Sequence, residues 1–221
     1  MFSGRFILFL LLGTLFMMIP ICIQTKWYGL RWWKSILIAF VLTVCGTLGT
    51  YLWFFAENFM FGGRSFYGAV FLVPVLFILV SFLFRIPYGN LMDLCAPAEC
   101  MMLVLMKILC SVEGCCVGRV LWINQNGTAL IFPSQIAESI NALLLCLILM
   151  ILSYRKNNQG MIYPWYLVLY GTTRFTLNFF REEWVTTRHF VPLGTIWSVL
   201  AFIIGIGILL FYKKRKSTVI S

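Results

Sequence analysis

Charged and polar residues recur inside stretches that are otherwise apolar, and their spacing is the first guide to chemistry. In "YGTTRFTLNFFREEW", Tyr170, Arg174, Asn178 and Arg181 fall at i, i+4, i+8 and i+11. At about 100° per residue they share one helical face. Two guanidinium groups on one face suit a phosphate, which each can hold through two parallel hydrogen bonds. In "FPSQIAESI", Ser134, Gln135 and Glu138 form a short polar face. In "KILCSVEGCCVGR", Lys107 precedes the adjacent Cys115 and Cys116, which Gly114 and Gly118 bracket and Arg119 follows. Tyr67 in "GGRSFYGA" offers a hydroxyl as donor or proton-transfer group. Each of these has a plainer reading. Arg174 can pair with Glu138 to lock two helices, and Lys107 with Asp93 or Glu99. Ser134 and Gln135 can serve a helix start. Tyr67 then joins Trp27, Trp32, Trp33, Trp53 and Trp165 in an interfacial aromatic belt, which residue type alone favours.

The elements that must position these groups are membrane spans. The chain has 221 residues, 62% hydrophobic and 11% charged, where a soluble domain carries roughly 25% charged residues. Seven runs approach the about 20 apolar residues a spanning helix needs: 6–24, 35–55, 67–84, 90–110, 133–154, 161–180 and 191–212. The expected fold is therefore all-α, polytopic and seven-spanning. Without tandem repeats or low-complexity linkers, residues 1–221 read as a single integral membrane domain. The first run lacks an A-x-A cleavage pattern and reads as a span rather than a signal peptide. Alternate loops carry ten basic residues, from Lys26, Arg31, Lys34, Arg85, Arg155 and Lys156 to Lys213, Lys214, Arg215 and Lys216. The remaining loops carry five, Arg5, Arg64, Arg119, Arg181 and Arg188, together with Glu57, Glu182 and Glu183. The excess of positive charge expects the amino terminus outside and "KKRK" in the cytoplasm. The loop of Cys115 and Cys116 then faces outward.

The net charge of +10 is spread between apolar runs, so it points to an anionic membrane surface and not to nucleic acid. Six of the eight cysteines lie in apolar segments, where cysteine is an ordinary small hydrophobe. The pair at 115 and 116 lacks CxxC spacing, and His189 is remote, so no metal site is expected. Charges at membrane depth cost about 2.5–3.5 kcal/mol each on insertion scales. Asp93, Glu99, Lys107, Glu138 and Arg174 are the residues that need a reason to be there.

Five of these segments, in order, resemble those of the prolipoprotein diacylglyceryl transferase family. "GGRSFYGAVF" is similar to its GGMSFHGG segment, and "MDLCAPAE" to the D-x-x-A-P that opens span four. "KILCSVEGCCVGR" resembles the signature of arginine, glycine, asparagine and a following G-E-x-x-G. "FPSQIAESI" resembles H-P-S-Q-L-Y-E, and "YGTTRFTLNFFREEW" resembles Y-G-x-x-R-x-x-x-E-F-x-R. The resemblance runs from about residue 59 to the carboxyl terminus. Asp93, Pro133, Ser134, Gln135, Glu138, Arg174 and Arg181 match. Tyr67 stands at the family's histidine, Lys107 at its signature arginine, Cys110 at its asparagine and Cys115 at its glutamate. Ala137 and Asn178 replace a tyrosine and a glutamate. The Gly114-Cys115-Cys116-x-Gly118 segment resembles a double-cysteine branch of the family.

The resemblance implies a seven-span transferase without cofactor. It would move the diacylglyceryl group of phosphatidylglycerol, or act on another anionic phospholipid, with the signal segment of a preprolipoprotein as acceptor in the bacterial plasma membrane. The expected catalytic groups are Lys107, Arg174, Glu138 and Tyr67. Arg174, Lys107, Arg181, Arg119, Asn178, Ser134 and Gln135 are the expected phospholipid contacts. Asp93, Gly114, Gly118, Cys110 and Cys115 support the site. The nucleophilic thiol in this chemistry belongs to the acceptor. Two other classes remain open: a non-catalytic or altered family member that binds anionic lipid or lipoprotein precursor, and a transporter.

Overall fold

The computed structural model describes residues 4–60, 62–123, 128–155, 159–181 and 192–220, and the side chains as far as 214. The loop charges Lys156, Glu182, Glu183 and Arg188, and His189, lie outside the described residues. Seven helices are seen among them: α1 (Gly4–Trp27), α2 (Trp32–Asn58), α3 (Tyr67–Phe84), α4 (Tyr88–Glu113), α5 (Ser134–Tyr154), α6 (Ile162–Asn178) and α7 (Leu193–Ile220). Each coincides with an expected apolar run. Six are long and apolar enough to cross a bilayer, and α6 is the exception at 17 residues. At 1.5 Å per residue α6 is about 25 Å long. Its C-terminal half carries Tyr170, Arg174 and Asn178, and the regular helix ends before Arg181.

The helices invert the pattern of a soluble protein. Leu11, Leu15, Leu79, Phe82, Leu147 and Ile151 point outward, whereas Gln24, Asp93, Glu99, Lys107 and Glu138 are buried. In lipid the backbone must satisfy itself, and helices do this within one segment. Polar side chains are then held inside the bundle. The central helix is α4, which packs on α1, α3, α5 and α6. Small residues bring helices into backbone contact: a Cβ on Gly49 of α2 would meet the Gly68 carbonyl oxygen of α3 at 2.8 Å.

One end of the bundle is tied by Asp93. Its carboxylate accepts from the Gly160 N–H (2.5 Å), the Ile162 N–H (2.9 Å) and the Tyr28 hydroxyl (2.8 Å). Gln24 donates to the Asp93 carbonyl at 3.1 Å and to Ser153 at 2.7 Å. This knot joins α1, α4, α5 and the turn into α6. An Asp93→Asn amide keeps the shape but offers donors where donors already point. We expect a loss of about 2–3 kcal/mol for this buried, charge-assisted set, read as a lower thermal midpoint in detergent. An unchanged midpoint would remove Asp93 from the scaffold.

Between α4 and α5 the chain forms an antiparallel hairpin, β1 (Val120–Ile123) with β2 (Ala129–Ile131). Val120, Leu121, Trp122, Ile123, Leu130 and Ile131 are all exposed. Apolar residues on both faces carry no alternating burial signal, which is why the sequence pattern alone reads as a loop here.

Candidate functional site

The site lies at the end of the bundle opposite Asp93. Lys107 is 14 residues further along α4, a rise of about 21 Å. Glu138, in the second turn of α5, is 3% exposed. Three cations from different elements converge on it. Lys107 Nζ of α4 lies 2.6 Å from Oε2, Arg174 Nη1 of α6 pairs with the same oxygen, and Arg181 Nη1 beyond α6 lies 3.6 Å from Oε1. One carboxylate against three cations gives these four residues a joint charge of +2. Burial makes that surplus felt, because charges in a low-dielectric interior are poorly screened.

The surplus faces a cavity of about 720 Å³, a size ordinary for a ligand site. Lys107, Arg174 and Arg181 line it, with Tyr67, Tyr170 and Glu99. Its apolar walls come from Phe6, Leu10, Met17 and Leu42 on α1 and α2. These two helices supplied only topology at the sequence level. At the rim Glu113 pairs with Arg64 at 3.8 Å, and the Arg64 guanidinium lies over the Phe6 ring at 4.1 Å.

The structure sorts the expected site residues by position. Lys107 pairs with Glu138 and not with Asp93 or Glu99, the partners its own helix suggested. Tyr67 is 4% exposed, so it is no interfacial belt residue. Its hydroxyl donates to the Gly194 carbonyl at 2.7 Å and lies 2.6 Å from Ser198 Oγ, tying α3 to α7. Trp53 likewise packs inward, edge-on to Trp197 with ring centres 5.0 Å apart. Asn178 is buried and donates to Thr195 Oγ1 at 3.4 Å, behind the cavity wall. Arg119 is exposed and donates to the Phe179 carbonyl at 3.4 Å.

Ser134 and Gln135 reach the cysteine loop. The Ser134 hydroxyl donates to the Cys116 carbonyl at 2.6 Å, and the Gln135 amide to the Cys115 carbonyl at 2.8 Å. Gly114 ends α4 in the left-handed conformation at φ 70°, a common helix stop. Gly118 bridges to Arg181 in antiparallel fashion, and the Arg119 N–H donates to the Phe180 carbonyl at 2.9 Å. A Cβ on Gly118 would overlap the Phe132 carbonyl. The cysteine loop thus holds the backbone of Arg181, and with it one of the three cations.

Cys110, Cys115 and Cys116 are free thiols at the cavity wall. Cys110 beside it, then Lys107 and Arg181, hold the Cys116 thiol well below the usual thiol range, at about 5, against the opposing effect of burial. Burial pushes the Cys115 thiol up. Thiolate is the reactive form, so the lowered Cys116 thiol is the more reactive of the two and the raised Cys115 thiol the less. Iodoacetamide at pH 6 should label Cys116 in preference to Cys115. Peptide mass spectrometry reads this directly. Equal labelling at pH 6 would contradict it.

A family model described as prolipoprotein diacylglyceryl transferase matches residues 8–211. The phosphatidylglycerol–prolipoprotein diacylglyceryl transferase of Geobacter sulfurreducens is 28% identical over 165 residues, covering 70% of this chain and 64% of that protein. The protein of the same name from Ehrlichia ruminantium is 28% identical over 206 residues, covering 81% of this chain and 77% of that one. The alignment therefore spans just under two thirds of the first relative's length and about three quarters of the second's.

Proposed function

The chain belongs to the prolipoprotein diacylglyceryl transferase family, and from that premise we propose that it transfers diacylglyceryl from phosphatidylglycerol to the lipobox cysteine of a preprolipoprotein signal segment. The observation that supports this most is the convergence of Lys107, Arg174 and Arg181 on Glu138 at the wall of a cavity otherwise largely apolar. A phosphodiester headgroup fits beside the three cations, and acyl chains fit against Phe6, Leu10, Met17 and Leu42.

In the proposed reaction the acceptor thiolate sulfur attacks the diacylglycerol carbon that bears the phosphate ester. A carbon–sulfur bond forms and the carbon–oxygen bond breaks. The electron pair leaves on glycerol phosphate, and the thiol proton passes to solvent. Charge therefore builds on the leaving phosphate, where fixed cations stabilise it most. Glu138 serves by holding the cations, since its oxygens already face all three. Arg174 can grip phosphate through a planar fork, whereas Lys107 acts as a point charge. Expected contacts from Arg119, Asn178, Ser134 and Gln135 are indirect in this scheme: they secure the α6 end, the α7 start and the cysteine loop.

The proposal carries the orientation read from loop charges, with the site end outward and "KKRK" inside a bacterial plasma membrane. The basic loop ends Lys26, Lys34 and Arg85 cluster at the Asp93 end, away from the cavity; Lys34, for example, donates to the Phe84 carbonyl at 3.1 Å. One observation favours a second reading, binding without turnover. The Tyr67 hydroxyl is engaged with Gly194 and Ser198 and replaces a group that titrates near neutral pH. Expression in cells depleted of their own transferase separates the two. Lipid-modified prolipoprotein is expected. Unmodified precursor, with this chain present in the membrane, would leave only the binding reading.

A further inference from the structure

Three sulfurs at the cavity rim form a cluster that transfer chemistry does not use. Cys110 is on the last turn of α4, and Cys115 and Cys116 follow its end. Their Sγ atoms all lie within 4.8 Å of one another. The backbone is shaped to bring them together. The Cys115 N–H donates to the Cys110 carbonyl at 3.0 Å, folding the chain back over the helix end. Cys116 then sits at φ 58°, a left-handed conformation that residues with side chains rarely adopt. Neighbouring side chains diverge in an extended segment, and this turn makes them converge. Ser134 and Gln135 of α5 hold the two carbonyls in place, at 2.6 and 2.8 Å.

We propose that Cys110, Cys115 and Cys116 form a trithiolate site for one thiophilic d10 metal ion, Cu(I) or Zn(II) in class. The set contains sulfur and neither imidazole nor carboxylate, which selects soft ions. Metal–sulfur bonds of about 2.3 Å put ligand sulfurs roughly 3.8–4.0 Å apart, so small side-chain rotations close the site. Binding is ligand exchange: the S–H protons that the three sulfurs still carry leave to solvent and three sulfur–metal bonds form, with no change in the oxidation state of the ion. Three thiolates around Cu(I) carry a charge of −2, and around Zn(II) −1. Lys107 and Arg181 stand beside the cluster to balance it. Glu113, close by in the chain, is engaged with Arg64 at 3.8 Å and stays outside the set. The assignment is independent of diacylglyceryl transfer.

The test is metal uptake by the reduced full chain in detergent without oxygen. Cu(I) is titrated against bathocuproine disulfonate and, in a parallel arm, Zn(II) against a chromophoric chelator. One equivalent of either ion is expected. It should be lost in Cys110→Ser, Cys115→Ser and Cys116→Ser, and kept in Cys22→Ser and Cys45→Ser. X-ray absorption distinguishes the arms: Cu(I) gives a shell of three sulfurs, and Zn(II) three sulfurs with one oxygen from water. Blocking the thiols of the folded wild-type chain with N-ethylmaleimide should abolish uptake without any substitution. Uptake of neither ion, or uptake that survives all three serine substitutions or the blocking, overturns the assignment. So does a reduced chain that loses 2 Da on exposure to air and takes up no metal when reduced again.

Discussion

Arg174→Ala, reconstituted with phosphatidylglycerol and a preprolipoprotein acceptor, should turn over about 10³-fold more slowly than wild type while remaining folded. Loss of a preorganised group that meets developing charge costs on the order of 10²–10³ in rate, and Arg174 is the cation most fully placed for that role. It is shared between Glu138 and the cavity, and the hydroxyl of Tyr67 lies next to it. Removing it still leaves Glu138 paired with Lys107 at 2.6 Å and with Arg181 at 3.6 Å, so the carboxylate is not stranded. Arg174→Lys should recover part of the rate, because the charge returns without the bidentate fork. The gel shift of the lipid-modified acceptor measures turnover, and monodisperse elution in detergent reports the fold. Wild-type turnover by Arg174→Ala would remove this arginine from the site and, with it, the phosphate clamp.

Glu138→Gln should act on a different quantity. The amide is close to isosteric, yet it leaves three cations close together with no carboxylate between them. Breaking a buried ion pair from one side costs roughly 3–5 kcal/mol, because the partner charge stays buried and unpaired. The thermal midpoint in detergent should fall by roughly 6–20 °C at about 2–4 °C per kcal/mol for a chain of this size. The double change Glu138→Gln with Lys107→Met removes one surplus charge and should regain part of that loss. A cycle of the two single changes and the double one isolates the coupling. If Glu138→Gln unfolds at the wild-type temperature, the cluster is not held together by this carboxylate.

These two experiments separate what the polar residues do. Arg174 faces the cavity and its loss should appear in rate. Glu138 faces the cations and its loss should appear first in stability. The hairpin and the cysteine loop add a third role, since Gly118 and Arg119 pair with the backbone at Arg181 and Phe180. Substitutions at Gly118, or at Ser134 where it holds the Cys116 carbonyl, would then act through the position of Arg181.

Much of the architecture was legible in the residues. An apolar run of spanning length has few alternatives to a helix, because lipid offers no partner for a free backbone amide. All seven helices therefore fall on runs seen in the chain; their ends shift by up to three residues, except that α7 continues eight residues past its run, to Ile220. The stripe was legible in part for the same reason: helical periodicity puts Tyr170 and Arg174 on one face at the cavity, whereas Asn178 turns to Thr195 of α7, and Arg181, beyond the end of α6, lines the cavity from a segment that bridges to Gly118. Arg174 with Glu138 was visible as a pair, since both are intramembrane charges that need a partner.

The partner of Lys107 was not legible. Asp93 and Glu99 share its helix, but Glu138 lies 31 positions on, across a hairpin. Periodicity within one helix says nothing of how its neighbour is rotated or how far it slides along the axis. Those two quantities decide which buried charges meet. Tyr67 shows the same limit: residue type suggested the interface, and packing against Gly194 and Ser198 of α7 decided otherwise. The thiol cluster is the sharpest case. Adjacent cysteines without CxxC spacing give no metal signal in a sequence, and Cys110 reads as part of an apolar helix. Only the left-handed turn at Gly114 and Cys116 brings the three sulfurs together. The sequence by itself determined that this chain is a bundle of membrane helices with a few costly charges inside. Tertiary structure alone decided which of those charges and thiols meet, because contact depends on rotation and offset between helices that no single helix encodes.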